Sequence, residues 1–347
     1  MRKIMVLMVL ALVVTAAHVF AGGGGESRAA AEDRSLIVYT NSGSDGRGDW
    51  LTEVAAEAGF DVTVVHMTGG DLANRIIAER NAQIADVVWG LNALEYERIK
   101  TYDLLLQYTP SWASEVDMVL GDPEGYYHPI VVQPLMLAYN RDFISPADAP
   151  RDWTELGSRF PGQYNIFGLG SGTSRSILSS ILVRYADPNG ELGVSQAGWD
   201  AVENYLQNAH YIQSGEDYWA SVVNGTRPMT MIWGSGLLLN QRNLNQTFEI
   251  MQPEVGHPFV VEQLAIFRNS NKTAVAQEFV DWMGSADIQA RFAQEFGTTP
   301  AHPVALQASP QEVRDLMGNV RPQSIDWKQI SLRLADWVEK AELEFVP

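Results

Sequence analysis

The sequence contains 347 residues, no cysteine, and 42 acidic against 24 basic side chains, which gives a formal net charge of −18. A chain of this length can form two domains with ample cores. The lack of cysteine excludes disulfides and a lipid-modified cysteine. The acidic balance disfavours nucleic acid and anionic lipid, so no nucleic-acid partner is expected. An anionic small ligand is not excluded, because local N–H groups and one or two arginines decide its binding.

The amino terminus has the pattern of an export signal. Arg2 and Lys3 precede an apolar run from Ile4 to Phe20, and Ala21 follows. These features are typical of a signal peptide, so we expect residues 1–21 to be removed and the protein to be periplasmic or otherwise extracytoplasmic. The apolar run also matches the length of an uncleaved membrane anchor, which remains the alternative.

Strands and helices alternate in the first third of the chain. Apolar and β-branched runs predict strands at 35–40, 60–66 and 85–89, and apolar residues at helical spacing predict helices at 49–58 and 72–81. This order predicts a parallel sheet with right-handed crossovers. Ligands of such sheets bind beyond the carboxyl ends of the strands, where the loops 41–46, 68–71 and 90–92 would meet.

A second α/β unit is predicted at roughly 140–255. Its strand at 164–169 runs into a turn of glycine and hydroxyl residues, 168–176, before a helix predicted at 177–185. The first N–H groups of a helix lack internal partners and the helix dipole favours negative charge there, so this turn suits a phosphate, phosphonate or carboxylate. An ordinary capped helix start is the alternative. A further strand, 229–233, ends in Gly234, Ser235 and Gly236.

Two extended apolar segments, 134–139 and 256–265, lie between α/β units and are predicted to cross from one to the other. The remaining helices are predicted from amphipathic spacing. They lie at 198–208, at 274–284, at 286–296, from Ser309 with Pro310 in the first helical position, and at 327–344.

The order of these segments resembles the bacterial extracellular solute-binding proteins of ABC importers, in the ferric-iron-binding-like branch. The segments that carry the resemblance span about residues 35–300. They are 36–40, 85–90, 134–142 with 153–156, 262–267, 276–283 and 285–289.

The resemblance implies a type II periplasmic binding protein fold, an α/β architecture with two doubly wound lobes that close about hinge strands on a ligand cleft. Lobe 1 would comprise 35–135 and 260–303, lobe 2 would comprise 140–255, and the helices of 304–347 would pack on the lobes. It also implies a monomer that delivers its solute to an ABC permease and ATPase at the inner membrane. Neither catalysis nor a cofactor is expected.

The ligand is a separate question. Ferric-binding members of the family present adjacent tyrosines where this sequence has Gly234, Ser235 and Gly236, and phenolates are the hard ligands that iron prefers. Iron is therefore the second choice, and no metal ligand is assigned. Hydroxyls and bare N–H groups bind oxyanions, so a sugar phosphate or phosphonate is preferred. The predicted ligand-binding residues are Ser42, Gly43, Ser44, Ser171, Gly172, Thr173, Ser174, Trp233, Gly234, Ser235 and Glu262.

Several other residues admit two interpretations. Arg175 would either bind an anion or face solvent from the first helical turn. Trp89 would either stack on a sugar or pack in the core, with the core favoured. Glu262 would accept hydrogen bonds from ligand hydroxyls or form a salt bridge at the crossover. The histidines His66 and His257 are expected to be structural.

Enzyme functions have weaker support. An exported glycoside hydrolase is the leading alternative, because carboxylates are abundant. Gly170-Ser171-Gly172 lacks the spacing of a hydrolase nucleophile elbow, and Gly168–Thr173 lacks the third glycine of a dinucleotide fingerprint. No group of His, Cys and Asp in the sequence has zinc-ligand spacing.

Overall fold

The computed structural model describes residues 33–347. The predicted signal peptide, residues 1–21, lies outside these residues. Within 33–347, no helix combines the length and the apolar character needed to cross a bilayer.

Ten strands and fourteen α-helices are distributed along the described residues. The strands are β1 Ser35–Thr40, β2 Asp61–His66, β3 Val87–Trp89, β4 His128–Tyr139, β5 Tyr164–Ile166, β6 Ala186–Glu191, β7 His210–Tyr211, β8 Met229–Trp233, β9 Glu249–Ile250 and β10 Phe259–Ile266. The first seven helices are α1 Arg47–Glu57, α2 Gly69–Ala78, α3 Ala93–Lys100, α4 Leu156–Arg159, α5 Gly172–Leu182, α6 Gln196–Gln207 and α7 Tyr218–Val223. The others are α8 Gly234–Leu244, α9 Thr273–Met283, α10 Ala286–Phe296, α11 Pro303–Ala308, α12 Gln311–Gly318, α13 Trp327–Ser331 and α14 Leu334–Glu344.

Nine of the strands form one sheet in the order β2-β1-β3-β10-β4-β8-β5-β7, with β9 paired to β4. Strands β1, β2 and β3 are parallel, as are β5, β7 and β8. The long strand β4 belongs to both groups, because its residues up to Pro134 pair with β10 and its residues from Leu135 pair with β8. We call β1–β3 with α1–α3 the first half, β5, β7 and β8 with α5–α8 the second half, and β4 and β10 the crossover strands.

Each half has its own apolar core. Trp89 of β3 is fully buried in the core of the first half, to which α9 and α10 add Phe279 and Phe292. Tyr164, Ile177 and Trp199 are fully buried in the core of the second half, which also receives apolar residues of α13 and α14. Helix α14 therefore extends the second half, whereas α13 also packs against α3 of the first half.

Several element boundaries differ from the sequence prediction. Helix α5 begins at Gly172, so residues 172–176 form its first turns and are not part of the preceding loop. Gly234, Ser235 and Gly236 likewise form the first turn of α8, a helix that the sequence prediction missed together with α3. Helix α12 begins at Gln311, one residue after the position predicted from Pro310. The helix predicted at 327–344 is two helices, α13 and α14.

We expect His128, at the start of β4, to make stability depend on pH. Burial lowers its pKa to about 4, and Asp122 and Asp281 only partly oppose the shift. Its Nδ1 has no hydrogen-bond partner among the described residues. As the pH falls, His128 therefore becomes protonated in the unfolded chain at a higher pH than in the folded chain. The free energy of unfolding decreases as the pH drops from about 6.5 towards 4. Between pH 7 and pH 5, His128 is expected to lower the free energy of unfolding by about 2 kcal/mol. Urea unfolding of the parent and of His128→Gln at both pH values measures this difference. The same dependence of unfolding free energy on pH in both proteins would contradict the assignment.

Candidate functional site

A cavity of about 580 Å³ lies between the two halves. The carboxyl ends of β1, β2, β3, β5 and β8 all lead towards it, as expected for an α/β sheet. The crossover strands contribute Gln133, Leu135, Val260 and Glu262 to its lining. Both halves and the connection between them therefore enclose one space, of a size suited to a small ligand.

A buried hydrogen-bond network lies at the crossover strands. Glu262 accepts one bond from the hydroxyl of Ser42 at 2.7 Å and one from Nε2 of Gln133 at 2.9 Å. The same Nε2 also donates to Oγ of Ser235 at 2.8 Å, and the backbone N–H of Ser235 donates to Oε1 of Gln133 at 3.2 Å. These residues come from the β1 loop, β4, β10 and α8, so the network fixes both halves against the crossover strands.

Arg47 completes this network from the start of α1. Its Nη2 donates to Oγ of Ser235 at 2.9 Å, while its Nε has no partner within residues 33–347. The side chain is 2% exposed, and its guanidinium lies 5.7 Å and 5.9 Å from the ring centres of Phe296 and Phe292. Burial lowers the pKa of Arg47 below its ordinary value, and the charge of Glu262 opposes that shift. A guanidinium nevertheless stays protonated at neutral pH, so the cavity is lined by a buried cation that still has an N–H group free to donate to a ligand.

The amino terminus of α5 faces the same cavity. Ser171, Gly172 and Thr173 line it, and the N-cap residue Ser171 makes no side-chain cap bond. In the described part of the chain, the N–H groups of Gly172 and Thr173 have no acceptor, as expected for the first turn of a helix. The unpaired N–H groups and the positive end of the helix dipole favour an anionic group at this position.

Aromatic side chains form one wall of the cavity. The rings of Phe167 and Trp233 have centroids 5.9 Å apart, and Phe167 meets Tyr218 edge to face at 5.7 Å. Flat apolar rings beside polar groups provide a surface for the carbon face of a sugar or a short carbon chain.

The predicted ligand-binding residues divide into two groups. Seven of them line the cavity: Ser42, Ser44, Ser171, Gly172, Thr173, Trp233 and Glu262. Four do not, namely Gly43, Ser174, Gly234 and Ser235. Whether the seven bind a solute stays a prediction.

The four residues outside the lining have local reasons for their positions. The hydroxyl of Ser174 donates to the carbonyl oxygen of Phe167 at 2.7 Å and so points into the second half. Gly43 accepts the N–H of Gly48 inside its own loop. Gly234 packs on Pro134, since a Cβ there would lie 3.0 Å from that ring. Ser235 is 1% exposed and acts beneath the cavity, through Arg47 and Gln133.

Contacts decide between the two interpretations for Arg175 and Trp89, whereas a ligand role for Glu262 stays a prediction. Arg175 is neither solvent-facing nor part of the cavity lining, because it is buried and paired with Glu95 at 2.9 Å. Trp89 packs in the core against Phe292, which confirms the favoured interpretation. His257 is buried and bonded to the carbonyl of Met251, whereas His66 is exposed and lines the cavity.

Arg47 and Gln133 line the cavity but are not among the predicted ligand-binding residues. Asn41 and Asn92 also line it, and both lie in loops that were predicted to meet at the ligand edge of the sheet. Arg47 directly follows the loop 41–46, which was already placed at the ligand edge of the sheet, so its position was a usable signal. Gln133 is a polar residue within the apolar run of β4, which was a second one.

Comparison with known proteins establishes the family. Residues 49–316 match the model of a family described as bacterial extracellular solute-binding protein. The chain belongs to this family. A curated relative from Sinorhizobium fredii (strain NBRC 101917 / NGR234), the probable ABC transporter periplasmic-binding protein y4fP, is 34% identical over 311 residues, which cover 89% of this chain and 86% of the relative.

Solved structures of a ferric binding protein and of a periplasmic binding protein share the fold of this chain. A ferric binding protein from Campylobacter jejuni aligns with a TM-score of 0.74 and 17% identity, covering 89% of this chain and 99% of that one. The periplasmic binding protein AfuA from Actinobacillus pleuropneumoniae, solved with exogenous fructose-6-phosphate bound, aligns with a TM-score of 0.75 and 16% identity, covering 90% and 98%. At these identities the likeness concerns the fold, which is that of periplasmic binding proteins.

Membership of the family defines the general role of this solute-binding protein. It is a substrate-binding component of an ABC transporter, and such components deliver their solute to a membrane permease. Proteins of this kind are not enzymes, so the glycoside hydrolase alternative is set aside.

Proposed function

We propose that this protein captures a small solute with an anionic oxygen group, either a sugar phosphate or a phosphonate. The solute would bind between the two halves, which act as lobes that close about the crossover strands. The observation that carries the proposal is one cavity that holds both the unpaired N–H groups of the α5 amino terminus and the buried guanidinium of Arg47. We further propose that the protein is exported through residues 1–21 and acts as a monomer.

The rest of the lining favours a solute with hydroxyl or other donor groups besides its anion. Asp71 and Glu262 line the cavity as carboxylates, and neither has a cation within ion-pair distance among the described residues. Carboxylates accept hydrogen bonds from ligand hydroxyls, and the aromatic wall provides an apolar surface beside them. A phosphorylated sugar satisfies these groups better than inorganic phosphate does. AfuA, which has the same fold, was solved with fructose-6-phosphate bound.

Ferric iron, the second choice, has less support from the chemistry of this cavity. Among the described lining residues, Tyr218 is the one tyrosine. Burial raises the pKa of Tyr218 well above its ordinary value, and the charges of Asp45 and Asp217 raise it further. One tyrosine can offer a single phenolate, whereas ferric-binding members of the family present adjacent tyrosines.

A thermal-unfolding panel tests the proposed ligand class. The purified protein is heated with fructose 6-phosphate, glucose 6-phosphate, methylphosphonate, 2-aminoethylphosphonate, inorganic phosphate, unphosphorylated fructose or ferric citrate. A cognate solute at about 100 times its dissociation constant stabilises the folded state by about 2.7 kcal/mol. We expect a shift with an organic phosphate or phosphonate and none with fructose. A shift with ferric citrate alone would replace the proposal by iron transport.

A further inference from the structure

The two halves contact each other directly beside the cavity. The N–H of Gly70, in α2, donates to the carbonyl oxygen of Gly170 at 3.1 Å. The side-chain amide of Asn92 donates to the hydroxyl of Ser176, in α5, at 3.1 Å. The third contact is an ion pair between Glu95 of α3 and Arg175 of α5, with an Oε1–Nη1 distance of 2.9 Å. All three contacts join the first half to the segment around the α5 amino terminus.

The ion pair between Glu95 and Arg175 is buried and geometrically constrained. Glu95 is 1% exposed and Arg175 is 7% exposed. Besides Glu95, the guanidinium contacts the carbonyl oxygen of Leu169 through Nε at 2.7 Å. It also lies flat against Gly70, where a Cβ atom would come within 2.3 Å of the guanidinium carbon. Only glycine at position 70 leaves room for this packing.

Arg175 is also tied to the cavity-facing turn. Its backbone N–H donates to the carbonyl oxygen of Ser171, the N-cap of α5. Through this turn, the position of Arg175 sets the position of Gly172 and Thr173 relative to the cavity. Separating the halves would break this ion pair together with the hydrogen bonds of Gly70 and Asn92, and the loss of these contacts opposes opening.

We propose that Glu95 and Arg175 are positioning residues for solute capture. Their ion pair holds the first turn of α5 against α2 and keeps the two halves together without a solute. The pair can form because Gly70 has no side chain that would collide with the guanidinium of Arg175. This inference rests on the proposed capture between the two halves, but not on the identity of the solute.

Small-angle X-ray scattering of the solute-free protein tests the proposal. The parent is expected to give the curve calculated from the present structure, whereas Glu95→Gln and Arg175→Met increase the radius of gyration. Gly70→Ala keeps both charges and is expected to act in the same direction, because the added methyl displaces the guanidinium. Arg75→Met is the matched control, since Arg75 pairs with Glu79 at 2.7 Å at the end of α2 and contacts neither Glu95 nor Arg175.

The outcomes separate this inference from the proposed function. The positioning role is overturned if the parent has a larger radius of gyration than the present structure. It is also overturned if Glu95→Gln, Arg175→Met and Gly70→Ala are as compact as the parent. With fructose 6-phosphate as the probe, Glu95→Gln, Arg175→Met and Gly70→Ala are also expected to release the solute about tenfold faster than Arg75→Met does. If the parent does not bind fructose 6-phosphate, that result counts against the sugar-phosphate proposal, and the scattering comparison still decides the role of the ion pair.

Discussion

Replacing Arg47 by methionine is expected to weaken binding of the anionic solute by about 30-fold to several thousand-fold. Arg47 is a buried cation that lines the cavity and has unused donors. Removing one member of a buried, hydrogen-bonded charge pair costs about 2–5 kcal/mol, and each 1.4 kcal/mol is about tenfold in affinity. Isothermal titration calorimetry with the solute selected by the unfolding panel measures the loss.

The same substitution is expected to change stability much less than affinity. Burial already lowers the pKa of Arg47, which means that the folded state carries a desolvation cost for this cation. A methionine of similar length removes that cost and packs against Phe292 and Phe296, although it leaves Glu262 without a nearby cation. Thermal unfolding without solute therefore separates a binding role from a folding role.

Two other arginine substitutions complete the Arg47 experiment. Arg75→Met removes a partly exposed ion pair with Glu79, of a kind worth about 0–1 kcal/mol, and is expected to bind as the parent does. Arg47→Lys keeps the charge but loses the planar set of donors, so an intermediate affinity is expected. Unchanged solute affinity in a folded Arg47→Met protein would remove Arg47 from the site.

The fold could be predicted from sequence because its signals are local. The strand predicted at 229–233 coincides with β8, and the strand at 35–40 coincides with β1. Each is a short apolar run that ends in turn residues, and the alternation with helical spacing defines the crossovers. The ends of the helices were less accessible, since glycine and serine are compatible with both a loop and a first helical turn.

The candidate site was only partly accessible from sequence. Predicting the start of α5 five residues late put Ser174 and Arg175 in the turn before the helix, although helical geometry directs both side chains away from the cavity. The network of Arg47, Gln133 and Ser235 joins residues that lie 102 and 188 positions apart, and no local pattern indicates such pairs. Predicting which polar residues meet beneath the cavity requires the packing of both halves on the crossover strands.

Replacing Gly172 by proline is expected to weaken the anionic solute by about 10- to 100-fold while α5 keeps its fold. Gly172 is the first residue of α5, a position that accepts proline because its N–H has no partner inside the helix. The preceding residue, Ser171, has φ −80° and ψ 134°, the extended conformation that a following proline requires. The substitution thus deletes one N–H donor, and a hydrogen bond to a charged group is worth about 1.5–3 kcal/mol.

Gly172→Ala is the matched control, because it keeps the N–H and adds a Cβ atom at the same backbone position as proline does. The nearest atom to such a methyl, Nδ2 of Asn92, lies at 3.9 Å, which is ordinary van der Waals contact. Titration of both variants with the same organophosphate should therefore show parent-like affinity for alanine and a loss for proline. If both variants lose affinity equally, the effect is steric. If neither loses affinity, the anionic group lies elsewhere in the cavity, and the guanidinium of Arg47 becomes its main anchor.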